Sequence, residues 1–143
     1  MADNAKTPRP VYRNIHVTDI VHYRLPLAGI VSILHRISGA ILFLLMPFIV
    51  WMFDTSLSSE FSFAKFTSAF SNGVGFVPGW FFKLVALAIL WAYLHHFIAG
   101  VRHLWMDINH AVSKEFGRSS AIVTLSLSLG LTVVLGAKLF GLY

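Results

Sequence analysis

Two groups of polar side chains interrupt runs that are otherwise apolar or small. In Val31–Leu44, Ser32, His35 and Arg36 fall at i, i+3 and i+4, one face of a helix. Further along, His96 and His103 stand two helical turns apart on one face, while His95 is rotated about 100° from His96. An ionisable group at membrane depth costs several kcal/mol unless it is paired or hydrated, so each is a candidate for function. Two kinds of object would use hydroxyl, imidazole and guanidinium groups aimed at one region. A haem needs axial imidazoles for its iron and cationic or hydrogen-bonding groups for its propionates. A quinone needs donors at carbonyl oxygens that gain negative charge on reduction. His96 suits the first role and Ser32 and Arg36 the second; Arg36 or His35 also suits a propionate.

The elements that must position these groups are membrane helices. The chain has 143 residues, 57% hydrophobic and only 12% charged, with a mean hydropathy of +0.73. A soluble domain carries about twice that charged fraction. Ile37–Phe53 is charge-free and is extended by 25–34, Leu84–Val101 has only His95 and His96 as ionisable groups, and Ser119–Ala137 has no charge. A span needs roughly 20 apolar residues to cross a core of about 30 Å. The expectation is an all-α membrane protein with three transmembrane helices at about 25–53, 79–106 and 119–141, in one membrane domain over residues 1–143, preceded by an N-terminal segment, 1–24. The first apolar stretch is too long for a secretory signal and runs into Trp51, Met52 and Phe53, so that reading is rejected.

Successive spans run in opposite directions, which lets His35 and His96 sit at similar depth. Lys6, Arg9, Arg13, Arg24, Arg36, Arg102, Lys114 and Arg118 fall towards one side and Lys65, Lys83 and Lys138 towards the other, eight against three. The positive-inside rule then puts the N-terminus in the cytoplasm and the C-terminus in the periplasm. It also accounts for the net charge of +5 without nucleic acid, since the cations flank lipid-spanning helices. In the first connection, Phe63, Phe66 and Phe70 at i, i+3 and i+7 fit either a short interfacial helix with its aromatic face to lipid or a segment packed against helix ends. Pro47 is expected to kink the first span, and Gly and Ser in the third to permit close helix contact.

Cysteine is absent, so neither a disulfide nor a thiolate-held iron–sulfur cluster can form in this chain. There is no glycine-rich phosphate loop, no hydrolase triad order and no HExxH, and no catalytic residue is assigned. Blander readings accompany the polar residues. His95 reads as a packing residue bonded to a neighbouring helix, and Arg36 alone could snorkel towards headgroups. Arg102 and His103 read as headgroup or propionate contacts, and His16, His22 and His110 as interfacial or loop residues. Spacing alone leaves open a haem or quinone protein, a self-contained cytochrome with His35 and His96 both on iron, and a cofactor-free structural or transport protein.

Three segments carry a resemblance: Arg9-Pro10-Val11, then Ser32 to Gly39 as SxxHRxSG, then His96 to Asp107 as HxxxGxRHxxxD. In this order and separation they resemble the cytochrome b556 subunits of succinate dehydrogenase, and the likeness covers nearly the whole chain. The resemblance implies half of a heterodimeric anchor bundle in a bacterial inner membrane. It implies haem b shared with a second anchor subunit, His96 as the axial iron ligand on this side, and His35 and His103 near the propionates. Ser32 and Arg36 would line a ubiquinone site, where the fixed charge of Arg36 would stabilise reduced quinone oxygens. Succinate oxidation would lie in a flavoprotein subunit and an iron–sulfur subunit docked on the cytoplasmic face. An anchor for a quinol–fumarate reductase, working in the reverse direction, is the alternative of the same class.

Overall fold

The structure, a computed structural model, describes residues 16–111 and 113–143. Lys6, Arg13 and the Arg9-Pro10-Val11 segment lie outside the described residues. Five helices follow in order: α1 (Val17–His22), α2 (Leu27–Leu57), α3 (Glu60–Ser71), α4 (Gly79–Asn109) and α5 (Lys114–Leu139). Among the described residues the only strand-like pairing is one isolated bridge, Val74 to Val77.

Local chemistry sets the helix ends. Pro26 and Pro78 stand extended immediately before α2 and α4, where the ring fixes φ and no amide proton is wasted. Ser59 opens α3 through a capping box with Ser62, and the Ser113 hydroxyl accepts from the Phe116 N–H to open α5. At the end of α4, His110 takes the left-handed conformation (φ 50°), and the Ala111 N–H turns back to the Met106 carbonyl. This is the Schellman solution for the last carbonyls of a helix. Gly79 brings the start of α4 so close to the end of α3 that a Cβ there would meet the Phe70 carbonyl oxygen at 2.6 Å.

α2, α4 and α5 are each long and apolar enough to cross a membrane. At about 1.5 Å per residue, the 31 residues of α2 and of α4 reach roughly 46 Å and the 26 of α5 roughly 39 Å, beyond a hydrocarbon core of about 30 Å. α2 continues through Pro47 as one helix. The spans pack on small residues. Ala92 and Ala99 of α4 are fully buried, as are Val31 of α2 and Ala121 of α5. On α5, Gly117, Ala121, Thr124, Ser128, Thr132 and Gly136 form the buried stripe. Thr124, Ser128 and Thr132 each donate their hydroxyl to a carbonyl of their own helix, at Ser120, Leu125 and Ser128. Large apolar residues, among them Phe43, Trp51, Phe97 and Trp105, face outward. In lipid no hydrophobic gain comes from hiding them, so close backbone approach governs the contact.

The first connection is helical, as α3, but its aromatic residues divide. Phe66 packs edge-on against Phe70, and Phe70 in turn lies against Phe82 of α4, with centroids 5.1 and 6.4 Å apart. Phe61 and Phe63 point outward instead. Of the two readings left open for Phe63, Phe66 and Phe70, each holds in part: the segment is helical and packs against the span ends through Phe66 and Phe70, while Phe63 faces outward.

Candidate functional site

α2 and α4 run antiparallel and bring the two polar groups together. The His35 and His96 rings stack with centroids 4.2 Å apart and 10° between planes. His103 closes on His35 from one side, at 5.1 Å and 49°. The convergence expected from chain direction and depth is thus present, and all three rings are half-buried on the outer side of the helix pair.

A small hydrogen-bond network fixes the His96 ring. Its Nδ1 lies 3.1 Å from the His35 carbonyl oxygen and 3.4 Å from the Ser38 hydroxyl. Ser38 is buried and donates its own proton to the same carbonyl at 2.9 Å. A carbonyl only accepts, so Nδ1 carries the imidazole proton and the lone pair is left on Nε2. The ring rests directly on Gly39, where a Cβ would stand 2.8 Å from His96 Cε1. The equivalent gap opposite, at Gly100, is roomier: a Cβ would lie 3.6 Å from His35 Nε2. Ser38 and Gly39 thus belong to the site, though sequence reasoning gave them no role; their signal was their place in the SxxHRxSG run.

His95 faces a different helix. It is 0% exposed, its Nδ1 lies 3.2 Å from the Ser128 hydroxyl of α5, and it stacks on Trp91 at 5.5 Å. Among the described residues its buried Nε2 makes no hydrogen bond of ordinary geometry, and the Val31 backbone of α2 lies close to the ring. The packing role expected for it holds, and the ring is turned away from the His35–His96 pair.

Arg102 is also a tie between helices. It is buried at 8% exposure, its Nε donates to Ser120 Oγ at 2.9 Å, and its Nη2 donates to the Gly117 carbonyl at 3.2 Å. Two of its three nitrogens tie α4 to α5. Arg36 is exposed on the outer surface one residue beyond His35, and Ser32 is half-buried a turn earlier on α2. The structure brings His35, His96 and His103 together, but it gives neither Ser32 nor Arg36 a contact with them. His16 and His22 are exposed and bonded to Thr18, at 2.9 Å to its hydroxyl and 2.8 Å to its carbonyl.

A self-contained cytochrome with both His35 and His96 on iron does not fit. Axial imidazoles approach iron edge-on from opposite faces, whereas these rings lie face to face and aim no nitrogen at each other.

Fold and site together define an all-α protein with three helices long and apolar enough to cross a membrane, two of which hold a half-buried cluster of imidazoles between them. Residues 7–135 match the family described as succinate dehydrogenase/fumarate reductase transmembrane subunit. Among similar proteins, the succinate dehydrogenase cytochrome b556 subunit of Coxiella burnetii is 35% identical over 82% of this chain and 90% of its own length. The cytochrome b556 subunit of Paracoccus denitrificans is 30% identical over 94% of both chains, and the cytochrome b560 subunit of Reclinomonas americana 24% over 92% of this chain and 86% of its own. The chain belongs to the succinate dehydrogenase/fumarate reductase transmembrane subunit family.

Proposed function

We propose that this chain binds haem b and ubiquinone as one of two membrane anchors of a succinate–quinone oxidoreductase. The observation that carries the reading is the bond from His96 Nδ1 to the His35 carbonyl. Metal-bound imidazoles regularly donate their second nitrogen to a carbonyl or carboxylate, which fixes the ring and raises the basicity of the ligating nitrogen. His96 would hold the haem iron through Nε2, with Gly39 giving its ring room. A second anchor subunit would supply the other protein ligand. His35 and His103 serve the propionates.

Haem b, when bound, supplies one-electron redox capacity between the two anchors. Arg36, exposed and fixed on α2, offers its guanidinium to a quinone oxygen, and Ser32, a turn earlier, offers a hydroxyl. A permanent cation there lowers the energy of the charge that those oxygens gain on reduction. Without cysteine the chain holds no iron–sulfur cluster, so an iron–sulfur subunit delivers the electrons and a flavoprotein subunit oxidises succinate. The relatives named for succinate dehydrogenase favour that direction over fumarate reduction. The basic end of the bundle lies in the cytoplasm, with the C-terminus in the periplasm.

The test is a reduced-minus-oxidised visible spectrum of the tagged chain purified gently from its native membranes, with the co-purifying chains counted. A b-type spectrum with flavin and three partners is expected. A colourless chain travelling alone would overturn the reading.

A further inference from the structure

The basic end of the bundle contains a second feature, lined by none of the three clustered imidazoles. A cavity of about 1040 Å³ opens between the start of α2, the end of α4 and the start of α5. Arg24, Arg102, Lys114 and Arg118 line it, with no Asp or Glu among the described lining residues. Beneath these cations the wall is apolar, from Leu27, Ala28 and Ile30 of α2 and Met106 of α4. We propose that this cavity holds the phosphate headgroup of an anionic phospholipid, with the head among the four cations and the first part of an acyl chain along the apolar wall.

Arg102 is the built part of the site. Its Nε and Nη2 are anchored on α5, which fixes the guanidinium plane despite 8% exposure. Nη1 has no partner among the described residues, and it is not among the side-chain nitrogens sealed from solvent, since His95 Nε2 alone is buried and unbonded there. Arg102 lines this basic cavity and also a smaller, apolar one between α4 and α5, and of the two only the basic one gathers further cations for an anion. A planar guanidinium held in this way suits phosphate oxygens. The start of α5, 26 residues long, adds the positive end of its dipole beside Lys114.

The pairing of cations with an apolar wall decides the source of the phosphate. A free anion would use the cations alone, whereas an amphiphile uses both, and the cavity lies where three spans leave the bilayer. Basic pockets between transmembrane helices are settings for anionic headgroups, at about 1 kcal/mol per Lys or Arg near the surface. The proposal stands apart from the haem reading, since no residue lining the cavity belongs to the imidazole cluster.

The test uses the tagged chain with its co-purifying subunits, followed by native mass spectrometry during titration with phosphatidylglycerol, phosphatidylcholine or inorganic phosphate. Arg24→Gln with Arg118→Gln should weaken retention of phosphatidylglycerol about thirtyfold, near fivefold for each charge removed. The charge-keeping pair Arg24→Lys with Arg118→Lys should restore most of it, and phosphatidylcholine should respond to neither. Equal phosphatidylglycerol retention in wild type and the Gln pair would overturn the proposal. Inorganic phosphate binding as tightly as the lipid would also overturn it, in favour of a free-anion site. So would a Gln pair that keeps its lipid and loses a subunit, because the cations would then serve a protein contact.

Discussion

Replacing Gly39 by Ala is a small change placed where the site has least room. The added Cβ would stand 2.8 Å from His96 Cε1 and 3.2 Å from Nδ1, whereas ordinary contacts begin at 3.4 Å. The ring must therefore retreat by about 0.6 Å. Retreat is resisted on two sides, by the His35 ring stacked at 4.2 Å and by the Nδ1 bond to the His35 carbonyl at 3.1 Å. If the ring stays, overpacking costs about 1–3 kcal/mol; if it swings, a hydrogen bond of about 0.5–1.5 kcal/mol is lost and Nε2 is misaimed. At about 1.4 kcal/mol per factor of ten, haem affinity should fall roughly tenfold. Gly100→Ala is the control, because its Cβ would meet His35 Nε2 at an ordinary 3.6 Å. Both substitutions gain the same helix propensity, about 1 kcal/mol, so the difference between them isolates the contact with the ring. The assay is the haem-to-protein ratio of the purified complex, with the rate of haem transfer to apomyoglobin. Equal haem retention in the two variants would refute the argument that Gly39 seats the ligand.

Other expectations follow from the same geometry. Arg36→Leu should lower succinate–quinone turnover at least tenfold with haem content nearly unchanged, because removing the fixed cation affects developing oxyanion charge most; parallel loss of haem and turnover would assign Arg36 to the haem instead. Ser32→Ala should raise the KM for quinone or lower turnover several-fold in a fully assembled complex, and missing subunits on a native gel would count against so local a role. Arg102→Met should lower the thermal midpoint of the detergent-solubilised complex by several degrees: it removes two hydrogen bonds to α5, each of about 0.5–1.5 kcal/mol, while the Gly117 carbonyl keeps the Ser120 hydroxyl. An unchanged midpoint would show that the α4–α5 contact does not depend on this side chain.

The three spans were legible because lipid imposes a length and an absence of charge that sequence displays directly. Their ends were less so. α5 begins at Lys114, ahead of the charge-free run at 119, because Ser113 caps it and Lys114, Glu115 and Arg118 tolerate helix at headgroup depth. α2 likewise runs past Phe53 to Leu57 through Asp54. The meeting of His35 with His96 followed from chain direction and depth, which involve two helices only. What each ring faces depends also on how the third helix docks, and no periodicity within one segment encodes that. The stacking of His35 on His96, the Ser128 partner of His95 and the α5 anchorage of Arg102 all needed that third helix or the pair's rotation. The inward turn of Phe66 and Phe70 was hidden for a similar reason, since an aromatic stripe at helical spacing suits lipid and a neighbouring helix equally.

The central claim is that His96, and not the adjacent His95, presents its imidazole to haem iron. A paired substitution tests it most directly: His96→Leu and His95→Leu, each purified with its partners and measured by reduced-minus-oxidised spectroscopy. His95→Leu removes a ring that packs against Trp91 and Ser128, and the Ser128 hydroxyl keeps its bond to the Leu125 carbonyl. The account predicts that this variant keeps its b-type spectrum and that His96→Leu loses it. A spectrum lost with His95 and kept without His96 would contradict the account.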